Sequence, residues 1–416
     1  MKRLRPVWIV IGIGALALGA WDLAVYALEQ YELAAITRRT EALKAEFNAR
    51  DYTRPVLRGS PQPGNAWDHY RKAIEEIKAE DKFYNVYVNL FYAFLRGSEK
   101  ADRAAVVAVL EKHAGVLDHI RRGLQCGEAR FEYNWSRDRS IPRLYQGDEQ
   151  AFGYLSRSKA RLLVDAGRHM EAAELLLDMC LFCRDRDQND INPALGTSTE
   201  MLDDLHAILM GGKLSPSEFA RLDRELGILL EAYPDHSHSF WNHVLDLGAG
   251  FQMEAREGRQ MRFCSVGDVE VRAGWREYYS YRLMNARAFR LLDHWTARLA
   301  AAERMNWMKA REVLWAVHEE LESSRHGMEL LSGVSIWGAS NRRQEAAKLR
   351  LLRTAAHYIC TGEVLELQDP FGDGPLKSTR GSSLKVWSAG RDGIDHGARG
   401  SWRGWLNEDL VLEVTR

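Results

Sequence analysis

Leu155–Asp187 reads LSRSKARLLVDAGRHMEAAELLLDMCLFCRDRD, and its reading decides the fold class. Two helical patterns meet at Ala166-Gly167-Arg168, where glycine permits the chain to reverse. Ala172 and Ala173 are small enough to let the two helices approach closely. The spacing therefore predicts a helix hairpin. Cys180 and Cys183 make a C-x-x-C, but they fall in mid-helix, whereas a redox pair is expected at a helix N-terminus, where the dipole lowers the thiol pKa. Two small core residues are the simpler reading, with redox or metal chemistry as the alternative.

Helical signals continue on both sides. Upstream, Asn65 caps a helix carrying Trp67, Tyr70, Ile74 and Ile77, with Asp68 in its first turn. Phe83–Leu95 (FYNVYVNLFYAFL) is read as a buried helix despite its strand-like Val and Tyr content. Ala101–Gly123 reads as one amphipathic helix. Arg130–Gln146 is irregular and charged. Downstream, Thr199–Met210 is a short helix, and Ser215-Pro216-Ser217-Glu218 is a strong helix start. Trp275–Arg325 holds neither Gly nor Pro, and a break is expected near Met305–Trp307. Gly327–Asn341 is read as a loop, and Ser340 or Asn341 as the start of a last helix ending at Gly362. Arg184–Asp187 and Arg342–Arg343 are read as solvated helix faces. His113, His119, His206, His294, His318 and His357 are read as surface or core-edge residues.

The N-terminus carries a localisation signal. Lys2, Arg3 and Arg5 precede the apolar run Val7–Ala20, which extends to Leu28 with Asp22 as its one charge. As a helix, Val7–Leu28 would be about 33 Å long, enough to cross a bilayer. The basic residues precede the run, so the positive-inside rule places the N-terminus in the cytoplasm and the bulk of the chain outside it. This predicts a single-pass inner-membrane protein with a signal anchor. A cleaved signal peptide is the competing reading. Residues 29–64 are expected to be a stalk and linker: Glu29–Arg50 continues as a polar-faced helix, and DYTRPVLRGSPQPG (51–64), with three prolines and two glycines, is a linker or an extended wrap.

Composition narrows the classes. Of 416 residues, 46% are hydrophobic and 28% charged, which excludes wholesale disorder. Lys and Arg number 57 against 58 Asp and Glu, so no overall field favours nucleic acid. The 13 tryptophans suit well-filled helix interfaces, and five dispersed cysteines make no disulfide framework.

Asp369-Pro370-Phe371-Gly372, then Ser388, Gly390, Asp392 and Gly393, and finally Glu408-Asp409-Leu410 punctuate the tail. Leu376–Arg380, Leu384–Ser388 and Leu410–Val414 have strand composition. This tail resembles the C-terminal module of type II secretion major pseudopilins and related exported bacterial proteins. The resemblance covers about 70 residues and implies a small antiparallel sheet with a calcium site in the loop before the last strand. Asp392, Asp395, Glu408 and Asp409 would be its carboxylates, joined by carbonyls near Trp387 and Ala389, since calcium takes six to eight oxygens. The alternative is that the aspartates close Asx turns without an ion. Lys2–Ala20 lacks the pseudopilin processing motif, and the long body is foreign to that family. Leu155–Asp187 in turn resembles a single tetratricopeptide-type hairpin, with no sustained repeat around it.

A second candidate is His236, His238 and His243, an H-x-H with a third His five residues on, which could ligate zinc; the alternative is that a loop at a helix start simply favours such polar residues. The expected architecture is thus mainly α: residues 1–28 as anchor, 29–64 as stalk and linker, 65–340 as helical body, and 341–416 as pseudopilin-like helix plus sheet. Three functions follow as expectations: an envelope scaffold that binds a protein partner, an exported metal-dependent enzyme using His236–His243, and a divergent pseudopilus component. An apolar groove beside Leu155–Asp187 favours the first. A pocket gathering the histidines with a carboxylate favours the second.

Overall fold

The computed structural model describes residues 5–80, 83–98, 101–132, 146–189, 195–232, 237–257, 275–323, 336–404 and 408–415. Helix dominates, with a small sheet near the C-terminus. Helix α1 (Arg5–Ala49) runs unbroken from the apolar N-terminus into the body. It is long and apolar enough to cross a membrane. Its first part exposes Leu16, Trp21, Leu23 and Leu28, while Ile36, Thr40, Leu43 and Phe47 are buried. That three- and four-residue spacing lines one helix face, which packs against α10 (Ser237–Glu257) and α11 (Trp275–Glu303). Residues 29–64 are therefore no free stalk. Tyr52, Arg54, Val56 and Leu57 are buried too, so of the two readings of the Pro/Gly stretch the extended wrap is the one the structure has.

Helix α2 (Ala66–Ala79) starts where the Asn65 side chain accepts from the Trp67 N–H at 3.2 Å. It packs against α5 (Ala114–Leu124) through Gly123, where an added Cβ would lie 2.5 Å from the Tyr70 ring. Phe83–Leu95 is helix α3. The predicted single helix over Ala101–Gly123 is instead two: α4 (Arg103–Lys112) and α5, broken at His113. His113 is also not a core-edge residue. It is buried, 2.7 Å from the Glu80 carboxylate and edge-on to Phe83. Short strands β1 (Gln62–Asn65) and β2 (Cys126–Glu128) pair in parallel beside α2.

The hairpin forms as read: α6 (Gln146–Asp165) and α7 (His169–Asn189) reverse at Gly167, whose φ of +77° suits glycine. Residues 133–145 of the segment expected to be irregular lie outside the described residues. Helix α7 is covered on almost every side, which overturns the reading of Arg184–Asp187 as solvated: Arg184, Asp185 and Arg186 are buried. Asp185 accepts from Tyr70 Oη at 2.7 Å and lies 3.1 Å from Arg54 Nε. Arg54 also donates to the Gly123 and Leu124 carbonyls that α5 leaves open at its C-terminus. Cys180 and Cys183 are buried on α7, and burial pushes both thiols well above the usual range.

Helix α8 (Leu195–Met210) precedes α9 (Pro216–Glu231), which opens on the full Ser215–Glu218 capping box. Helix α11 ends at Glu303 and α12 (Trp307–Ser323) follows, the break falling where expected. The last helix, α13 (Ile336–Thr361), begins earlier than predicted, so a boundary at 341 cuts through it. Arg342 is buried rather than solvated, and Arg343 donates to the carbonyls of Ala302, Glu303 and Met305 at the end of α11.

The tail sheet has the order β3-β4-β6-β5. Strands β3 (Lys377–Arg380), β4 (Leu384–Ser388) and β6 (Asp409–Val414) pair antiparallel, as the strand composition suggested. Strand β5 (Gly400–Ser401) adds a short parallel edge that was not anticipated. The sheet lies against α13, and Val386, Leu410, Leu412 and Val414 join the same apolar core as the helices.

Candidate functional site

Where α3, α6, α7 and α8 meet, the hairpin leaves a cleft of about 170 Å³. Leu95 ends α3 at one wall. Ala160 and Val164 come from α6, Leu176 from α7, and Ala207 and Ile208 from α8. These apolar side chains make the floor because each helix turns its core stripe toward the others. The rim is charged: Arg157, Arg161, His169, Asp204 and Lys213. Arg157 is held in place by Asp204 at 2.6 Å and Glu200 at 2.5 Å. For scale, a dry cavity of roughly 150 Å³ accepts benzene. The cleft thus has room for about one bulky apolar side chain, beside the polar groups of its rim.

The tail aspartates are engaged by groups of their own loop. Asp409 accepts the His396 N–H at 3.2 Å through one oxygen and the Ala398 N–H at 2.9 Å through the other. Asp392 accepts the Ile394 N–H at 3.0 Å and lies 2.7 Å from His396 Nε2, which holds the imidazole pKa up. Asp395 accepts from Trp387 Nε1 and the Gly397 N–H, both at 2.9 Å, and these bonds pull its pKa down. Glu408 contributes its backbone carbonyl, packed against Gly390. These are the Asx-turn bonds weighed against the calcium reading, and they engage Asp392, Asp395 and Asp409 from within the loop.

His236 lies outside the described residues. His238 and His243 stand on α10 rather than in a loop. Five residues turn a helix by about 140°, so the two leave it on different sides. Among the described residues no group of three or more His, Cys, Asp or Glu is placed to share a metal ion.

Two residues without an assigned role prove central to the tail. Asp369, first residue of the Asp-Pro-Phe-Gly turn, is buried. It accepts from Ser388 Oγ at 2.5 Å, the Ala389 N–H at 2.9 Å and the Phe371 N–H at 3.0 Å. Asp203 of α8 takes both Lys348 Nζ, 2.5 Å away, and Trp402 Nε1 at 2.8 Å, while His206 stacks on Trp402 at 4.2 Å. Burial pushes His206 down to about 4. No sequence motif announces this joint, because its members lie on three separate segments.

No family model, no curated protein and no solved structure matches this chain.

Proposed function

We propose that this protein is a membrane-anchored interaction module of the bacterial cell envelope, and that the cleft beside α6 and α7 is its docking site. The observation that carries the proposal is the cleft itself. An apolar floor under a charged rim receives one side chain of a partner and selects by what surrounds it. The exposed apolar run of α1 supports membrane attachment, and the basic residues before that run favour a cytoplasmic N-terminus with the body outside. The likeness of the tail to pseudopilin modules fits an envelope location. In this chain the tail serves as a cover on α13.

The enzyme reading has less behind it, since His238 and His243 leave α10 on different sides. The test is a photoreactive residue at the exposed Ala207 of the full chain in its native membrane. One protein adduct is expected, and Val164→Trp, which fills the cleft from its opposite wall, should abolish it. Absence of an adduct, or one indifferent to Val164→Trp, defeats the docking proposal.

A further inference from the structure

We infer that the cleft beside α6 and α7 takes an acidic segment of its partner: a bulky apolar side chain in the floor, with a carboxylate one or two residues to one side of it and none on the other. The inference rests on the docking function proposed above and says which kind of segment docks. It comes from the way charge is divided along the rim. Arg157, Arg161 and Lys213 line the cleft against a single carboxylate, Asp204.

Helices α6 and α8 run in the same direction beside the cleft. A Cβ on Gly153 would meet the Thr197 side chain at 3.0 Å, and one turn further on Arg157 reaches Glu200 and Asp204. At this end the cation is fully answered. Both oxygens of Asp204 accept from Arg157, at 2.6 and 3.4 Å, and Glu200 takes a third N–H at 2.5 Å. Two carboxylates thus surround one arginine, and the Glu200 side chain is 57% exposed. An acid arriving here meets a negative excess.

The other end is the reverse. Arg161 lies one turn, about 6 Å, further along α6. Its Nε is 3.6 Å from Asp165, whose second oxygen already accepts from Arg103 of α4. Lys213 follows α8 and has no ion pair among the described residues. Three cations therefore share one carboxylate, Asp165. The C-termini of α6 and α8 and the N-terminus of α7 fall at this end too. Each carries about half a charge, two negative and one positive, so they reduce the cationic excess without cancelling it. An extended chain advances about 3.3 Å per residue, so a carboxylate one or two places from a residue seated in the floor reaches Arg161 and Lys213. A lysine or arginine at that place would be repelled.

The test uses the full chain in detergent micelles and blocked, rhodamine-labelled peptides, read by fluorescence anisotropy. Their core sequences are Phe-Glu-Glu and Glu-Glu-Phe, since either chain direction can place the acid, beside Phe-Ser-Ser, Phe-Lys-Lys and Gly-Glu-Glu. One of the two acidic peptides should bind about fivefold tighter than Phe-Ser-Ser, the ceiling for one exposed ion pair, with Phe-Lys-Lys and Gly-Glu-Glu weaker than that peptide. Lys213→Glu should remove the advantage, and Val164→Trp should remove binding altogether. Equal binding of the acidic peptides and Phe-Ser-Ser, abolished by Val164→Trp, overturns the acidic preference and leaves docking standing. A preference that survives both Lys213→Glu and Arg161→Ala overturns it as well, because the charge that selects would lie elsewhere. Binding indifferent to Val164→Trp, or none by any peptide, also overturns the inference, and the adduct at Ala207 then decides separately whether the cleft docks a protein.

Discussion

Asp185→Ala is the substitution that tests the buried interior most sharply. Asp185 and Arg54 both have fully buried side chains, and Tyr70 donates to the same carboxylate. Burial pushes the Asp185 carboxyl up, against the pull of Arg54 and Arg184. The pair is thus costly to bury, and its worth lies in each charge answering another. Removing the carboxylate leaves the Arg54 guanidinium in the core without its counter-charge, which costs about 3–5 kcal/mol. Tyr70→Phe removes only one hydrogen bond to a charged acceptor, about 1.5–3 kcal/mol. Unfolding entropy near 2.1 cal/mol/K per residue gives this chain roughly 0.9 kcal/mol/K, so Asp185→Ala should lower Tm by about 3–6 °C. Circular dichroism melts of the full chain in detergent micelles measure this directly. An Asp185→Ala shift under 1 °C, or one smaller than that of Tyr70→Phe, would refute the charge-compensation account.

Acid should weaken the joint between body and tail. The pKa of His206 is lowered in the fold, so the stability of its neutral form is full above about 6.5 and is lost as pH falls toward about 4. His206→Gln should flatten the fall in Tm between pH 7 and pH 4.5. Because the ring is part-exposed, the difference should be about 1 kcal/mol, and parallel pH curves for both proteins would count against it. Gly390 and Gly397 both hold φ of +71°, but a Cβ at Gly390 would collide with the Glu408 carbonyl, whereas at Gly397 it would meet nothing within 4 Å. Gly397→Ala should cost about 1–2 kcal/mol for the left-handed backbone alone, and Gly390→Ala clearly more; equal losses would mean the loop yields freely. Melts in calcium and in chelator should superimpose if loop hydrogen bonds alone hold the tail aspartates. A rise in calcium that Asp409→Asn removes would instead establish an ion there.

Local signals were read well from the sequence where the physics is local. The Asn65 cap, the Ser215–Glu218 box, the Gly167 reversal and the break before Trp307 each depend on neighbouring residues, and each stands in the structure. Ala101–Gly123 misled because a helix broken by one residue keeps nearly the same apolar period on both sides of His113. The Arg184–Asp187 run misled for a different reason. A charged run says nothing about its surroundings when a helix is enclosed on all sides, and the partners of Asp185 come from Arg54 and Tyr70, more than a hundred positions away. The cleft was legible only as a hairpin, since its other two walls, Leu95 and Ala207–Ile208, are supplied by distant helices. The tail strands were legible from composition, but Asp369 was seen as part of a motif rather than as the carboxylate that holds the end of β4.

Helix α1 is at once the apolar run of the N-terminus and, from Ile36 to Phe47, part of the body's core. A domain on a flexible tether sweeps a hemisphere above its membrane. A body built on the continuation of its own anchor cannot swivel without turning the anchor in the lipid. If α1 crosses a bilayer and the cleft takes a partner, the cleft is carried at one height and one heading, so a partner in the same membrane would search for it in two dimensions and lose little orientational freedom on docking. On the proposed function, the unbroken helix would set the address of the cleft as well as its attachment.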